Sequence, residues 1–355
     1  MSNKKFNYFI GIDVSKNKLD FVLTFGKTVV HHRVIINSVI AVLEYIKELK
    51  SIDGLKMSKA VFGLEQTGIY TEHALTALKR AKANIVLEDV AFIRAFLGKL
   101  RGKYDQIDAY RIATFLFKNR ADLRLYEQRR LVVVKLANFS ALRVRLISHY
   151  NALNVPLKEQ SQFYDGELIL SLTQLQQQSL IALKADIERV ELAIKYEIRS
   201  DARIKRLYDL ITSVTGVGPI TAVKIIISTN EYLDITDPKK FASYSGVAPF
   251  RHESGIMVAK PKVSAIANRE MKSLLHICAM SAVAHKSDLQ EYYFRRTRED
   301  GKPKMVVLNA IRYKIILRVF ACLRQDRPFE KDYRRTEIAQ RILGVVSDDQ
   351  PGKCV

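Results

Sequence analysis

From about Leu131 to Arg206 the apolar residues fall three or four positions apart, as in Leu180, Leu183, Ile187, Val190, Ile194 and Ile198, with polar and charged residues between them. Only a long helix with one narrow apolar stripe satisfies that spacing, and such a helix cannot cover its stripe alone. A second helix must lie beside it. The run from about Arg130 to Leu153, ending before the helix-breaking Pro156, supplies one, and Glu159 to Gly166 reads as the turn between two antiparallel arms. The stripe suits a hairpin within one chain and, as the preferred reading, a coiled coil between two copies. Either way a rod of this kind cannot sit inside one globule. It divides the 355 residues into a first domain, 1–130, the arm, 131–206, a further domain, 207–330, and a charged tail, 331–355.

The first domain carries a different periodicity. Tyr8 to Asp13, Leu19 to Phe25 and Thr28 to Ile36 are short runs rich in β-formers, separated by Ser15-Lys16-Asn17-Lys18 and Gly26-Lys27, so they read as three strands in meander succession. After Ser38, a cap residue, Val39, Val42, Leu43, Ile46 and Leu49 take helical spacing. Ala60 to Leu64 reads as a strand, Thr71 to Ala81 as a helix, Asn84 to Leu87 as a strand and Val90 to Leu100 as a helix. The order suits a mixed α/β sheet flanked by helices, with functional residues at strand ends. Beyond the arm the pattern is mainly helical, with Leu207 to Val214, Ile220 to Ser228 and Arg269 to Ala284 as helices. The fold class is therefore α/β plus all-α.

Composition bears on partners. Lys and Arg number 58 against 37 Asp and Glu, a formal net charge of +21, which favours a polyanion such as nucleic acid. A hydrophobic fraction of 48% excludes wholesale disorder. Cys278, Cys322 and Cys354 are too scattered for a disulfide framework or a zinc site, and a reducing cytoplasm fits them. No apolar run approaches the roughly 20 residues of a membrane span, so no membrane partner is expected.

Four carboxylates stand out by position. Asp13 lies inside the first strand-like run, Glu65 closes the strand from Ala60, and Asp105 and Asp108 are three apart at the start of an apparent helix. Together they can supply oxygen ligands for Mg²⁺ or Mn²⁺, and a pair of such ions would stabilise the attacking and leaving oxygens of a phosphodiester displacement. Read blandly, Asp105 is a helix cap, Asp108 a surface charge and the others strand-end residues. Lys99, Arg101, Lys103 and Arg111 surround the last pair, an arrangement that suits the approach of phosphates, and Lys16 is a further cation beside the first strand. Gly216-Val217-Gly218 between two helices resembles a helix-hairpin-helix element that presents backbone N–H groups to phosphate, and reads equally as a plain interhelical turn. Arg251-His252-Glu253-Ser254-Gly255 lacks clear periodicity and is followed by Lys260 and Lys262, which makes Ser254 a candidate nucleophile on a cationic loop as well as an ordinary loop serine. Asn268, Arg269 and Lys272 begin a helix whose basic end suits nucleic acid.

Gly11-Ile12-Asp13-Val14-Ser15-Lys16, Glu65-Gln66-Thr67-Gly68-Ile69-Tyr70, Lys103-Tyr104-Asp105-Gln106-Ile107-Asp108-Ala109, Thr215-Gly216-Val217-Gly218-Pro219 and His252-Glu253-Ser254-Gly255 occur in the order seen in DEDD insertion-sequence transposases. That family includes the Piv-type DNA invertases and the bridge-RNA-guided recombinases, and the resemblance runs from about Tyr8 to Arg327. It implies an RNase H-like (RuvC-like) first domain, a coiled-coil insertion and a C-terminal transposase domain. Asp13, Glu65, Asp105 and Asp108 match the four metal-binding acids, and Ser254 the nucleophilic serine. The implied chemistry is attack of Ser254 on a DNA phosphodiester, a phosphoserine link and strand exchange through a branched intermediate. Donor and target DNA, a noncoding guide RNA and a homodimer or homotetramer are the implied partners. The chain departs from the family at Ile256 and Ala267, where glycine is usual. Three rivals remain beside it: a RuvC-like nuclease or junction resolvase using water, an actin-like ATPase, and a non-catalytic architectural DNA-binding protein.

Overall fold

The computed structural model describes residues 5–66, 68–88, 93, 105–254, 257–263, 267–285 and 287–330; residues 105, 106, 250–254 and 257–262 are described by their backbone alone. The chain divides into two compact units, Met1–Gln128 and Arg129–Val355.

In the first unit, β1 (Tyr8–Val14), β2 (Lys18–Phe25) and β3 (Thr28–Ile36) form the expected antiparallel meander. The chain continues through α1 (Val39–Ser51), β4 (Ala60–Glu65), α2 (Glu72–Arg80), β5 (Asn84–Glu88) and α3 (Asp105–Lys118). β4 and β5 join in parallel, giving the order β3-β2-β1-β4-β5. Ser38 caps α1 by accepting a hydrogen bond from the Ala41 N–H at 3.2 Å. The sheet is buried on both faces. Ile10, Ile12, Phe21, Leu23, Phe62 and Leu64 pack with α1 and α2, while Phe9, Val61 and Val86 pack with Ile112, Phe115 and Leu116 of α3. The helix expected over Val90 to Leu100 lies outside the described residues, Ile93 excepted.

Two glycines set how closely α3 approaches. A Cβ on Gly11 would stand 1.9 Å from the Ala109 carbonyl oxygen, and one on Gly63 would stand 2.8 Å from Leu116 Cδ1 and 2.9 Å from Ile112 Cγ2. Gly11 and Gly63 are direct neighbours on the parallel β1–β4 pair. The helix therefore lies almost on the strand backbones.

The second unit opens with α4 (Leu131–Gln160) and α5 (Gly166–Ser200). They run antiparallel: Lys135 pairs with Glu197 at 2.8 Å and Arg143 with Glu191 at 2.7 Å, so numbers rise on one helix as they fall on the other. Pro156 does not end α4, contrary to the sequence expectation; it sits inside the helix, which runs on to Gln160. A proline removes one backbone donor, and here burial of Leu157 and the Ser161 N–H to Leu157 O bond of 3.0 Å hold the next turn. α5 stops at Ser200 because Asp201 caps a new helix, α6 (Ala202–Thr212), through the Ile204 N–H. There follow α7 (Pro219–Thr229), α8 (Pro238–Tyr244), the strands β6 (Pro249–Ser254) and β7 (Met257–Val263), α9 (Arg269–Ala284), α10 (Asp288–Phe294) and α11 (Lys304–Gln325). The foot of the hairpin is rooted in this unit's core: Val133, Leu136 and Ile198 join Ile204, Ile226, Phe241, Leu275, Ile315 and Phe320. Beside it Glu231, 1% exposed, takes Arg130 at 3.3 Å and Arg203 at 3.0 Å. Asn230, Glu231 and Tyr232 all have positive φ, of 48°, 58° and 64°, a left-handed corner in three non-glycine residues. The tail from Lys331 lies outside the described residues.

Candidate active site and nucleic-acid interface

Alternation along a strand puts Asp13 on the same face as Gly11, and Glu65 on the same face as Gly63. Continuing the β1–β4 register by one residue sets Asp13 and Glu65 side by side, on the face that carries α3. The helix runs opposite to β1, because Phe117 packs edge-on to Phe9 with centroids 5.4 Å apart while Ala109 lies over Gly11. Its first turn, with Asp105 and Asp108, is therefore directed toward the Asp13 end of the strand. Asp13 and Glu65 are half-buried. Asp108 is turned toward its own helix and accepts from Arg111 Nη1 at 2.5 Å. Among the described residues no three His, Cys, Asp or Glu side chains are close enough to share one ion, and the Asp105 side chain lies outside them.

Two further carboxylates extend the row, and the sequence reading does not single them out. Asp20 on β2 stands opposite Asp13, and Glu88 on β5 stands beside Glu65. Asp20 is 4% exposed, accepts His32 Nε2 at 2.7 Å and faces Lys18 at 3.8 Å. The one clue to Asp20 in the sequence is an acidic residue within the apolar run Leu19 to Phe25. Acids on four neighbouring strands repel one another unless cations come among them, and an all-oxygen donor set of this kind suits Mg²⁺ or Mn²⁺. In donor chemistry the row fits such an ion, while the described side chains are not drawn together around one point.

Of the expected cationic contacts, Lys16 is exposed in the β1–β2 turn, and Arg111 is engaged with Asp108. Lys99, Arg101 and Lys103 lie outside the described residues, as do the side chains of Arg251, Lys260 and Lys262 on β6 and β7. Arg269 is exposed and Lys272 half-buried on the first turn of α9. Asn268 is already engaged: it caps α9 through the Met271 N–H at 2.9 Å and donates to the Tyr244 hydroxyl at 2.9 Å.

Between α6 and α7, Gly216 has φ +89°, and a Cβ there would meet the Cys278 carbonyl oxygen at 2.5 Å. Gly218 is the N-cap of α7, followed by Pro219, with open space where its Cβ would be. A cleft of about 430 Å³ lies between this turn and Leu274, Ile277, Ser281 and His285 of α9 and its end. Ser254 is not on an irregular loop, as its sequence suggested. It ends β6, opposite Met257 of β7, across a two-residue connection. Among the described residues the strands pair only with each other, and Pro249 and Pro261 obscure their alternation, so the hairpin is hard to read locally.

Comparison with known proteins places both units. Residues 10–161 match the DEDD transposase model of the IS110 type, and residues 208–294 match that of the transposase IS116/IS110/IS902 family. The pilin gene-inverting protein of Moraxella bovis is 28% identical over 123 residues, 34% of this chain and 38% of that protein. A probable family 20 transposase of Pseudomonas aeruginosa is 28% identical over 164 residues, 45% of this chain and 46% of its own length. An uncharacterized 44.8 kDa protein of insertion element IS116 from Streptomyces clavuligerus is 24% identical over 150 residues, 42% and 36% of the two chains. The matched stretch is less than half the length of each of these relatives.

Proposed function

Since the chain belongs to the DEDD transposases of insertion sequences, we propose that it cleaves and rejoins DNA strands in transposition or site-specific recombination. The observation that carries this reading is the acidic row at the ends of β1 and β4, under the first turn of a helix that two glycines let down onto the sheet. Asp13, Glu65, Asp105 and Asp108 would hold a divalent metal, which would supply polarisation of the scissile phosphate. Ser254 Oγ attacks the phosphorus and gives up its proton, the displaced DNA hydroxyl leaves, and a phosphoserine ester links chain and strand. Return of a DNA hydroxyl on that ester rejoins the strands and restores the serine. The β6–β7 pairing supports this role, because the backbone of Ser254 ends β6 paired opposite Met257.

Partners follow from the same reading. Donor and target DNA meet the cations of both units, a noncoding RNA supplies sequence choice, and the arm joins copies into a dimer or tetramer. The Gly216–Gly218 turn offers backbone N–H groups to phosphate.

Trapping decides the chemistry. Incubation with labelled DNA and Mg²⁺, then denaturation, is expected to leave label on the wild-type chain and none on Ser254→Ala. Cleavage by wild type with no covalent adduct, and by Ser254→Ala at an equal rate, would show a nuclease that uses water. Asp105→Asn is expected to fold normally and to lose cleavage; undiminished cleavage at low Mg²⁺ refutes the metal assignment.

A further inference from the structure

Arg312 on α11 is 5% exposed, and its Nε–H has no hydrogen-bond partner. Its two contacts are uncharged: Nη1 reaches Asn309 Oδ1 at 3.4 Å, and Nη2 donates to His276 Nδ1 of α9 at 2.7 Å. Among the described residues no carboxylate pairs with it. An arginine withdrawn from water without an anion is among the costlier things a fold can hold, and a guanidinium does not escape by losing its proton. Burial lowers its affinity for the proton, and His276 is pushed the same way, by burial first and by the Arg312 charge second. Because a guanidinium can only donate, His276 Nδ1 is the acceptor of its bond with Arg312.

The surroundings say what anion the site suits. Asn309, three residues earlier and on the same helix face, donates to the Val247 carbonyl at 3.0 Å and so holds the segment that leads into β6. Lys272, one turn before His276 on α9, borders the same segment: a Cβ on Gly246 would touch its Cδ at 3.5 Å. Lys272, His276, Asn309 and Arg312 therefore form a polar seam between α9 and α11 at the root of the hairpin that ends in Ser254. The half-buried imidazole marks where the seam meets solvent.

We propose that this seam is a phosphate-binding site, in which the Arg312 guanidinium, with Lys272 beside it, takes the oxygens of one backbone phosphodiester of the bound nucleic acid. The planar fork of donors matches a phosphate's paired oxygens. The proposal rests on the reading of the chain as a DNA-handling enzyme and adds to it a residue that none of the motifs contains.

The test uses the full chain, a fluorescent DNA duplex and two readouts, affinity against salt and thermal midpoint. Arg312→Met is expected to weaken binding about ten-fold and to make the log–log salt slope shallower by about 1. Its midpoint should stay level or rise, since an uncompensated buried charge has gone. If an acidic side chain of the same chain neutralises Arg312 instead, the midpoint falls and the slope stays; that result, or failure of the variant to fold, overturns the proposal. Lys272→Gln leaves the buried group alone and should also flatten the slope at an unchanged midpoint. Equal slopes in wild type and both variants overturn the site while leaving the DNA reading standing. Absence of any salt-dependent binding by wild type removes the DNA reading, and this site with it.

Discussion

At the scale of single residues, the first unit turns on two glycines that are chemically alike and structurally unequal. What a side chain at Gly11 would meet is backbone, the Ala109 carbonyl at 1.9 Å, whereas at Gly63 it would meet the ends of Leu116 and Ile112. Backbone cannot swing aside. Gly11→Ala is therefore expected to cost more than about 3 kcal/mol, and Gly63→Ala about 1 to 3 kcal/mol after repacking. Urea unfolding of the two variants checks the order, and equal losses would show that α3 can lift off the sheet. Glu231 makes a different case. Its arginine partners are half exposed and would rehydrate if it were lost, so Glu231→Ala should cost only about 1 to 3 kcal/mol despite the burial of the carboxylate. A larger loss would mean that the left-handed corner at 230–232 depends on this side chain.

At the scale of elements, the hairpin of α4 and α5 has more apolar surface than its two helices can cover for each other. Phe163 at its tip is 83% exposed, and Leu168, Leu170, Leu175, Ile181, Leu192 and Tyr196 of α5 are exposed as well. A rod that leaves such residues in water has reason to meet a second copy. Replacing Leu170 and Leu175 together by Ser should shift the mass measured by light scattering toward the monomer without loss of helix signal; an unchanged mass would place assembly elsewhere. The foot of the rod answers to pH. Burial raises the Asp201 carboxyl, but the Ile204 N–H and the Arg130 guanidinium more than offset it, and the net value lies below the ordinary one. A depressed folded value means stability present above the unfolded value, about 4, and lost as pH falls through the folded one. Thermal midpoints of wild type should therefore fall further between pH 5 and pH 3 than those of Asp201→Asn. Parallel curves would show that the pairing is too well solvated to matter.

At the scale of the whole molecule, a net charge of +21 on 355 residues predicts nucleic-acid binding that weakens steeply with salt, with a log–log slope of about −0.9 per neutralised phosphate. A slope near zero would show the charge unused. Much of this architecture was legible before folding. The three-strand meander, the cap at Ser38 and the helix from Arg269 to Ala284 follow from periodicity and turn chemistry within a few residues, and they stand where those rules put them. The helical arms were legible too, because a heptad stripe is a local pattern; the passage of α4 through Pro156 was not, since it depends on how Leu157 is buried. Single acids at strand ends could be picked out one by one. That Asp20 and Glu88 extend the row of Asp13 and Glu65 could not, because that is a matter of register among strands far apart in sequence. The β6–β7 pairing at Ser254 was hidden for a similar reason, each strand having only the other as partner among the described residues. Arg312 is the clearest instance: in the sequence it is one basic residue among 58, and only the packing of α9 against α11 withdraws it from water with no carboxylate partner among the described residues. Local periodicity determines which elements form, and long-range packing decides which charges they bury.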